Sequence, residues 1–579
     1  VKQLIDNKKV DGFFLIFSIV AILTLVIDYG FAFPKWIDVT ILVFYLLYLV
    51  GGIYLTALKL IHKTQPNIRL IVFDVTSIIF ILFCVFKQTQ LQNSHHIITD
   101  WIRIAIIIKW IREIITRRIN YKRSLINPAQ LFIISFLLLI LLGSFLLMLP
   151  NSTYKGISFI DALFTSTSAV CVTGLTVVDI SSYYTHFGQT TIMLLIQAGG
   201  LGILTFASYF SYFFKGGATY ENQLALNDIS NSGKLGEVFT TLRRIIIITF
   251  LIEFIGAAFI YFNINSAFIP QFGERVYFSV FHSISSFCNA GFSTMPKGMM
   301  QNELIFNYPM QLVMVLIFVF GGLGFPIMIN ILRYLKYFIK RYILWFVSGE
   351  NNYRAWVMTL SSKINLITTF ALIVLGTLAF YIMEYSNVLA SHNGFGKIIT
   401  ALFSATTPRS AGLNTIDFSS LHISTTMVII LLMWIGASPA STGGGIKTST
   451  FAIATLNFIS LAKGKSKIEL FRREVADISV RRAFATMTLS FVAIGLGICF
   501  VTHFDRHLSL LDISFECVSA YCTVGLSLGI TPELSESSKI VMIILMFTGR
   551  VTMLSILIAF FRKVRPLSYQ YPTDEIMIN

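Results

Sequence analysis

FTSTSAVCVTGLTVVD (Phe164–Asp179), FHSISSFCNAGFST (Phe281–Thr294), LFSATTPRSAGLNT (Leu402–Thr415) and FECVSAYCTVGLSL (Phe515–Leu528) are four versions of one segment. Each is a polar stretch between apolar ones that closes on a single glycine: Gly174, Gly291, Gly412 and Gly525, spaced 117, 121 and 113 residues apart. Ten residues before the glycine stand Phe164, Phe281, Leu402 and Phe515, six before it Ser168, Ser285, Thr406 and Ser519, and one after it Leu175, Phe292, Leu413 and Leu526. A polar loop repeated four times in an apolar chain implies four quarters of one ring. A ring of backbone carbonyls around an axis can replace the water shell of a cation. The repeat points to a pore.

Composition agrees. Of 579 residues, 55% are hydrophobic and 12% charged, and the mean hydropathy is +0.76. A soluble domain has about twice that charge. Gly12–Phe31, Leu131–Leu149, Met310–Leu332 and Ile540–Phe561 approach the ~20 apolar residues that cross a bilayer as a helix. The expected class is an all-α integral membrane protein. Gly12–Phe31 is long enough to span and no small-residue cleavage site follows it, so it reads as a helix and not as a secretory signal.

The net charge of +16 does not point to nucleic acid, because the cations gather in alternate loops. They are Arg117, Arg118, Lys122 and Arg123; Lys215, Lys234, Arg243 and Arg244; and Lys336, Lys340, Arg341 and Arg354. Lys463, Lys465, Lys467, Arg472 and Arg473 follow, then Arg562, Lys563 and Arg565. The loops with the glycine segments carry few. By the positive-inside rule both termini are cytoplasmic and the glycine segments face outward.

Residues 1–125 read as a four-helix membrane module, with helices at Gly12–Phe31, Asp38–Leu60, Ile68–Phe86 and Ile97–Thr116. Four units of helix, re-entrant loop and helix follow at 126–243, 244–363, 364–482 and 483–565, and a tail at 566–579. Their first helices fall near 128–149, 244–265, 364–385 and 483–503, and their second near 187–213, 308–335, 424–460 and 538–562. The aqueous stretches 214–242 and 336–362 are expected to carry short helices. Within each loop the first limb, such as Ser158–Val170, is expected to be a short helix and the return limb extended. Irregular backbone at membrane depth must be buried in protein or line water.

In the third unit, GASPASTGGGIKTST (Gly436–Thr450) interrupts an apolar helix. Pro439 lacks an amide donor, and Gly443, Gly444 and Gly445 each cost about 1 kcal/mol in a helix. The segment is read as a movable plug below the filter. Gly199–Gly202 and Gly321–Gly324 are read as close-packing positions. Arg550, inside the last helix, costs about 2.5–3.5 kcal/mol on insertion and should face the interior. Two roles remain open for it, a barrier that latches the plug or only a donor to loop carbonyls. Lys447 is expected to snorkel near the cytoplasmic end.

Cys171, Cys288 and Cys522 lie three residues before a repeat glycine, and Arg409 fills the fourth place. A thiolate metal site would want a fourth sulfur or a histidine, so these read as packing positions. In the amino-terminal module, Arg103, Lys109 and Arg112 recur at multiples of three, Ile106 interrupts them, and Asp74 lies on the third helix. That resembles a degraded voltage sensor. An accessory bundle is the preferred reading, since the second helix has no acidic partner below Asp38. A membrane redox enzyme or pump is the competing class. His95 and His96 adjoin in a loop, His282, His392 and His503 are scattered, and Glu253, Asp161 and Glu516 have no evident catalytic partner. Nucleotide-binding glycine motifs are absent from the sequence.

The segments TSTSAVCVTGL, FCNAGF, RSAGLNT and TVGLS, with GGLGFPIM (Gly321–Met328), STGGGIKTST (Ser441–Thr450) and TGRVTML (Thr548–Leu554), resemble the Trk/Ktr/HKT superfamily of potassium transporters. The bacterial Ktr membrane subunit is the nearest branch, matched over about residues 126–565. The resemblance implies four pseudo-symmetric helix–pore-loop–helix repeats around one potassium pathway, preceded here by four extra helices. It implies K+ uptake, no enzymatic reaction, no cofactor beyond the transported K+, and possible Na+ activation. Sodium or proton symport is the alternative. The ion-facing filter backbone would be Val172, Thr173 and Gly174; Asn289, Ala290 and Gly291; Ser410, Ala411 and Gly412; and Thr523, Val524 and Gly525. The gate would comprise Gly443, Gly444, Gly445, Lys447 and Arg550. A homodimer in the cytoplasmic membrane and a cytosolic ring of nucleotide-binding RCK subunits, touching the inner loops and the tail Arg565–Asn579, are further implications. In this family, serine at the first filter glycine accompanies sodium permeation.

Overall fold

The computed structural model describes residues 8–31, 33–61, 68–90, 100–116, 128–215, 238–348, 358–465, 467–553 and 556–557. Four helices open the chain: α1 (Lys8–Gly30), α2 (Lys35–Ile61), α3 (Ile68–Gln90) and α4 (Asp100–Thr116). They share a core of Ala21, Leu25, Tyr45, Tyr48, Ile81, Ile102 and Ile106 that is separate from the main one. Ile106, read as a gap in a basic ladder, is thus a core residue. The bundle meets the rest of the protein where Asn151 donates to the Tyr29 carbonyl (3.0 Å) and Tyr29 stacks on Phe187 (5.6 Å between centroids).

The four repeats follow in order. Repeat 1 is α5 (Pro128–Leu147), pore helix α6 (Phe159–Val170) and α7 (His186–Lys215). Repeat 2 is α8 (Val238–Asn263), pore helix α9 (Phe272–Cys288), α10 (Tyr308–Gly322) and α11 (Phe325–Ser348). Repeat 3 is α12 (Leu360–Glu384), pore helix α13 (Gly394–Thr406), α14 (Ile423–Trp434) and α15 (Thr448–Ala462). Repeat 4 is α16 (Asp477–Phe504), pore helix α17 (Leu510–Tyr521) and α18 (Glu536–Val551).

Polarity is arranged inside out, as lipid requires. Phe250, Phe254 and Phe262 cover the outer face of α8, while Ser166, Thr167, Ser168, Ser283, Ser285 and Ser286 are buried on the pore helices. Two of those helices, in repeats 1 and 3, start on side-chain caps. Ser158 accepts from the Asp161 amide and donates to its carboxylate, a reciprocal cap of the S-x-x-D type. Asn393 accepts from Gly396 (2.7 Å). Each inner helix then packs on the pore helix of the next repeat: α7 on α9, α10 on α13, α14 on α17, and α18 back on α6. A Lys539–Asp161 ion pair of 2.7 Å fastens this last joint. The four units close into a ring.

The inner helices depart from the expected continuous spans. Gly199, Gly321 and Gly549 each sit where a Cβ would enter a pore-helix carbonyl, that of Val170, Phe287 or Tyr521. So Gly199 and Gly321 are close-packing positions, as expected. Three residues later, Gly202, Gly324 and Thr552 all have positive φ (62°, 83° and 66°), a conformation that breaks a helix. The chain turns by 106° between α10 and α11, so the expected helix 308–335 is two. The expected helix 538–562 ends at Val551. In repeat 3 the break widens to residues 435–447, with Ala440 at φ 54°. All four inner helices fail at one level, where the sequence suggested only the third. The stretches 216–237 and 349–357 and the tail 566–579 lie outside the described residues, whereas 336–348 continues α11.

Candidate functional site: a four-loop ring and the segment beneath it

Each pore helix ends on an alternation of backbone hand. Val172, Asn289, Ser410 and Thr523, two residues before the glycines, have φ of 57°, 59°, 73° and 48°. The glycines follow at 96°, 71°, 71° and 87°, while the residues between them are not in the left-handed region. Such alternation turns successive carbonyls to one side, whereas a β-strand points them alternately. A β-branched residue at positive φ costs of order 1–3 kcal/mol and persists only where its surroundings impose it. Here the ends of the pore helices do so. In repeat 1 the Thr173 amide bonds the Ser168 carbonyl (2.7 Å) and the Gly174 amide bonds its hydroxyl (3.0 Å). In repeat 4 the Val524 amide bonds Ser519 O (2.9 Å) and Gly525 N bonds Ser519 Oγ (3.1 Å). In repeat 2 Ser285 receives the Ala290 amide (2.8 Å) on its carbonyl and donates its hydroxyl to Phe292 O (2.7 Å).

Repeat 3 is one residue out of register. There Thr407, and not the expected Thr406, receives the Ala411 amide (2.9 Å) and donates to Leu413 O (2.6 Å). Thr406 bonds back along its own helix to Leu402. One fewer residue separates anchor from glycine, which a fixed count of six cannot reveal.

The four loops meet. A Cβ built at Gly174 would lie 2.5 Å from Ala290 O, and one at Gly291 3.0 Å from the Gly412 Cα. At Gly412 it would strike Val524 O, and at Gly525 Thr173 O. The order 1–2–3–4–1 is complete. Of the expected filter positions, the four glycines and Thr173, Ala290, Ala411 and Val524 are brought together, and the ring leaves no room for a side chain at any of its glycines.

Directly below lies the broken segment of repeat 3. It folds back on itself, with Ile446 N bonded to Trp434 O (3.3 Å) and Thr448 N to Ala437 O (3.2 Å). It also pairs with the break in repeat 2, through Ser438 N to Gly322 O (2.9 Å) and Phe325 N to Ala440 O (3.1 Å). Its tip touches the inner residue of three filter loops. Asn289 donates to Thr442 Oγ1 (3.1 Å), a Cβ at Gly443 would lie 2.9 Å from the Ser410 Cβ, and one at Gly444 2.9 Å from Cys522 O and on the Thr523 hydroxyl. Gly445 turns the chain at φ 69°.

Arg550 completes the contact with repeat 1. One guanidinium nitrogen donates to Thr442 O and the other to Gly199 O (2.6 Å), and the side chain is buried. It links the broken segment of repeat 3 to the inner helix of repeat 1. Lys447 does not snorkel: its ammonium is turned into the segment and bonds Gly443 O (2.7 Å). Local backbone carbonyls, freed by the loss of helix, draw it inward.

Several side chains read as unpartnered have partners. Glu253 accepts from Gln197 (3.0 Å), and the Cys288 thiol lies 3.9 Å from it. Cys171, Cys288 and Cys522 are buried free thiols packed behind the filter, and Arg409 donates weakly to Thr369 O (3.4 Å). In the amino-terminal bundle Arg103 is paired with Asp28 on α1 (3.0 Å) and Asp100 (3.1 Å), and it lies over the Tyr29 ring. The acid thus comes from the first helix and not the second. The signal was Asp28 itself, a carboxylate inside an apolar span. Lys109 is buried and donates to Gly52 O (2.9 Å) and Thr56 Oγ1 (2.8 Å). The Arg112 side chain and His95–His96 lie outside the described residues.

Comparison with known proteins agrees with this geometry. The chain is 34% identical over 474 residues to the Ktr system potassium uptake protein B of Bacillus subtilis, covering 81% of this chain and 98% of that protein. It is 33% identical over 466 residues to the potassium/sodium uptake protein NtpJ of Enterococcus hirae, covering 79% and 98%. The crystal structure of the potassium transporter TrkH from Vibrio parahaemolyticus shares the fold, with a TM-score of 0.59 at 16% identity over 86% of this chain and 99% of that one. Residues 92–567 match the TrkH family of cation transport proteins, and the chain belongs to that family.

Proposed function

We propose that this protein carries potassium into the cell across the cytoplasmic membrane, with K+ passing through the ring of four loops as cargo. The closed ring is the observation that carries the reading. The carbonyls of Val172–Gly174, Asn289–Gly291, Ser410–Gly412 and Thr523–Gly525 take the place of hydration water. Loops this short stack fewer carbonyl rings than a TVGYG filter, so selectivity is the weaker for it. The segment Gly436–Lys447 blocks the exit, and flow requires it to move aside. No covalent chemistry is needed, and none of these residues acts as a catalyst. Symport driven by sodium or protons is not favoured, although Na+ activation fits a relative whose name includes sodium.

In this reading both termini are cytoplasmic, which the gathering of cations in alternate loops of the sequence supports. A homodimer and a cytosolic ring of nucleotide-binding RCK subunits belong to the same reading; relatives named as parts of a Ktr system support a separate partner subunit. The decisive test is growth of cells lacking their own potassium uptake systems. Expression of the intact chain restores growth at low K+; failure to do so, with protein present in the membrane, overturns the assignment.

Residues 1–125 serve as an accessory bundle. A voltage sensor moves several charges, each worth ~2.3 kcal/mol per 100 mV, yet Arg103 is held by Asp28 and Lys109 by backbone. In reconstituted vesicles K+ flux is expected to follow driving force alone between 0 and about −100 mV. A steep change in conductance over that range refutes the accessory role.

A further inference from the structure

Two buried side chains outside the carbonyl ring hold the chain just after it leaves the filter. In repeat 2, His282 stands on the pore helix nine residues before Gly291, and Ser293 two residues after it. The ring Nδ1 lies 2.9 Å from Phe278 O and Nε2 2.9 Å from Ser293 Oγ. A carbonyl only accepts, so Nδ1 carries the proton and Nε2 of the neutral ring is the acceptor. The Ser293 hydroxyl therefore donates to Nε2, while its oxygen accepts from the Met295 amide (3.1 Å). His282 is fully buried, with the Phe278 ring 3.9 Å away.

Repeat 4 builds the same device from other residues. Glu516 stands nine residues before Gly525 and Ser527 two after it. Ser527 donates to Glu516 Oε1, Thr531 adds a second bond to that oxygen (3.1 Å), and Ser527 Oγ accepts from the Gly529 amide (2.8 Å). In both repeats a buried acceptor on the pore helix receives a serine hydroxyl, and that hydroxyl oxygen fixes a turn two residues further on. Repeats 1 and 3 lack it. Thr165 is taken by Tyr184 and does not meet Thr176, and Ser404, the station corrected for the slipped register, does not bond Asn414.

Repeats 2 and 4 face each other across the ring. We propose that His282 and Glu516 are positioning residues that set the filter's discrimination between K+ and Na+, by tethering the outer limbs of opposite loops. The inner limbs of these loops are already held by the Ser285 and Ser519 carbonyls, which accept from the amides of Ala290 (2.8 Å) and Val524 (2.9 Å). With the outer ends tied as well, the Gly291 and Gly525 carbonyls cannot close inward around a smaller ion. The inference rests on the reading of the ring as a K+ filter.

The test measures K+ and Na+ uptake by the full-length protein in vesicles. Ser293→Ala/Ser527→Ala is expected to raise Na+ uptake relative to K+ by about tenfold, with each single change intermediate, as loss of a hydrogen bond to a buried acceptor implies. Glu516→Gln, which keeps an acceptor oxygen, should stay near the wild-type ratio, and Glu516→Leu should match Ser527→Ala. Ser527→Cys, nearly isosteric with a weak donor, serves if the double variant does not fold. A purely structural role lowers both fluxes in parallel. An unchanged ratio in a K+-preferring protein overturns the clamp alone, whereas a wild type without preference overturns the filter reading with it.

Discussion

Gly174→Ser is expected to cut K+ uptake at low external potassium at least tenfold and to let sodium through. Two physical effects act together. The residue has φ 96°, where an L side chain is strained, at a cost of roughly 1–2 kcal/mol. Its Cβ would also fall 2.5 Å from Ala290 O, a filter carbonyl of the next loop with no freedom to swing away. The ring must widen or one carbonyl must turn out, and either change relaxes the fit around K+. Growth of uptake-deficient cells on graded K+, with Na+ accumulation measured in parallel, reads the result. A variant that matches the wild type in both ions would show that Gly174 lies outside the ion path.

Arg550→Ala is expected to raise unregulated K+ flux by at least tenfold. The guanidinium is the one described link between Thr442 on the plug and Gly199 on the repeat 1 wall. Bonds from a charged donor contribute about 1.5–3 kcal/mol each, so losing the pair shifts a two-state gate by one to several powers of ten. Removing a cation from beneath the filter lowers the barrier to K+ in the same direction. Arg550→Lys restores at most one of the two bonds and should fall between. Vesicle flux without any regulatory partner is the measurement. Equal flux from folded wild type and Ala variant leaves Arg550 only as a donor to loop carbonyls.

What could be read from the chain alone follows from short-range pattern. Four polar loops at near-constant spacing identified the repeats and the four glycines that the structure brings together, while the other ring positions were expected only from the family resemblance. Pro439 with Gly443–Gly445 marked the broken third inner helix, because proline and glycine penalise a helix wherever they stand. The misreadings share another cause. Thr406 is matched by counting back from a glycine, but the anchor is Thr407, because in repeat 3 one residue fewer separates the anchoring carbonyl from the glycine. Lys447 was expected outward because its distance from the lipid face cannot be judged without the fold-back at Ile435–Ile446.

By itself, then, the sequence determined the number of repeats, the four glycine loops and the place of the helix break in repeat 3, all encoded within some fifteen residues each. Only tertiary structure decided that the loops close in the order 1–2–3–4, that every inner helix breaks at one depth, and that Arg550 reaches both Thr442 and Gly199. The same holds for Asp28 as the partner of Arg103, and for His282 and Glu516 as tethers. The inner-helix breaks are set by a glycine pressed on a neighbouring helix, and Asp28 and Gly199 meet partners 75 and 351 residues away. Packing chooses such partners among many polar groups of equal chemistry, and local sequence carries no record of that choice.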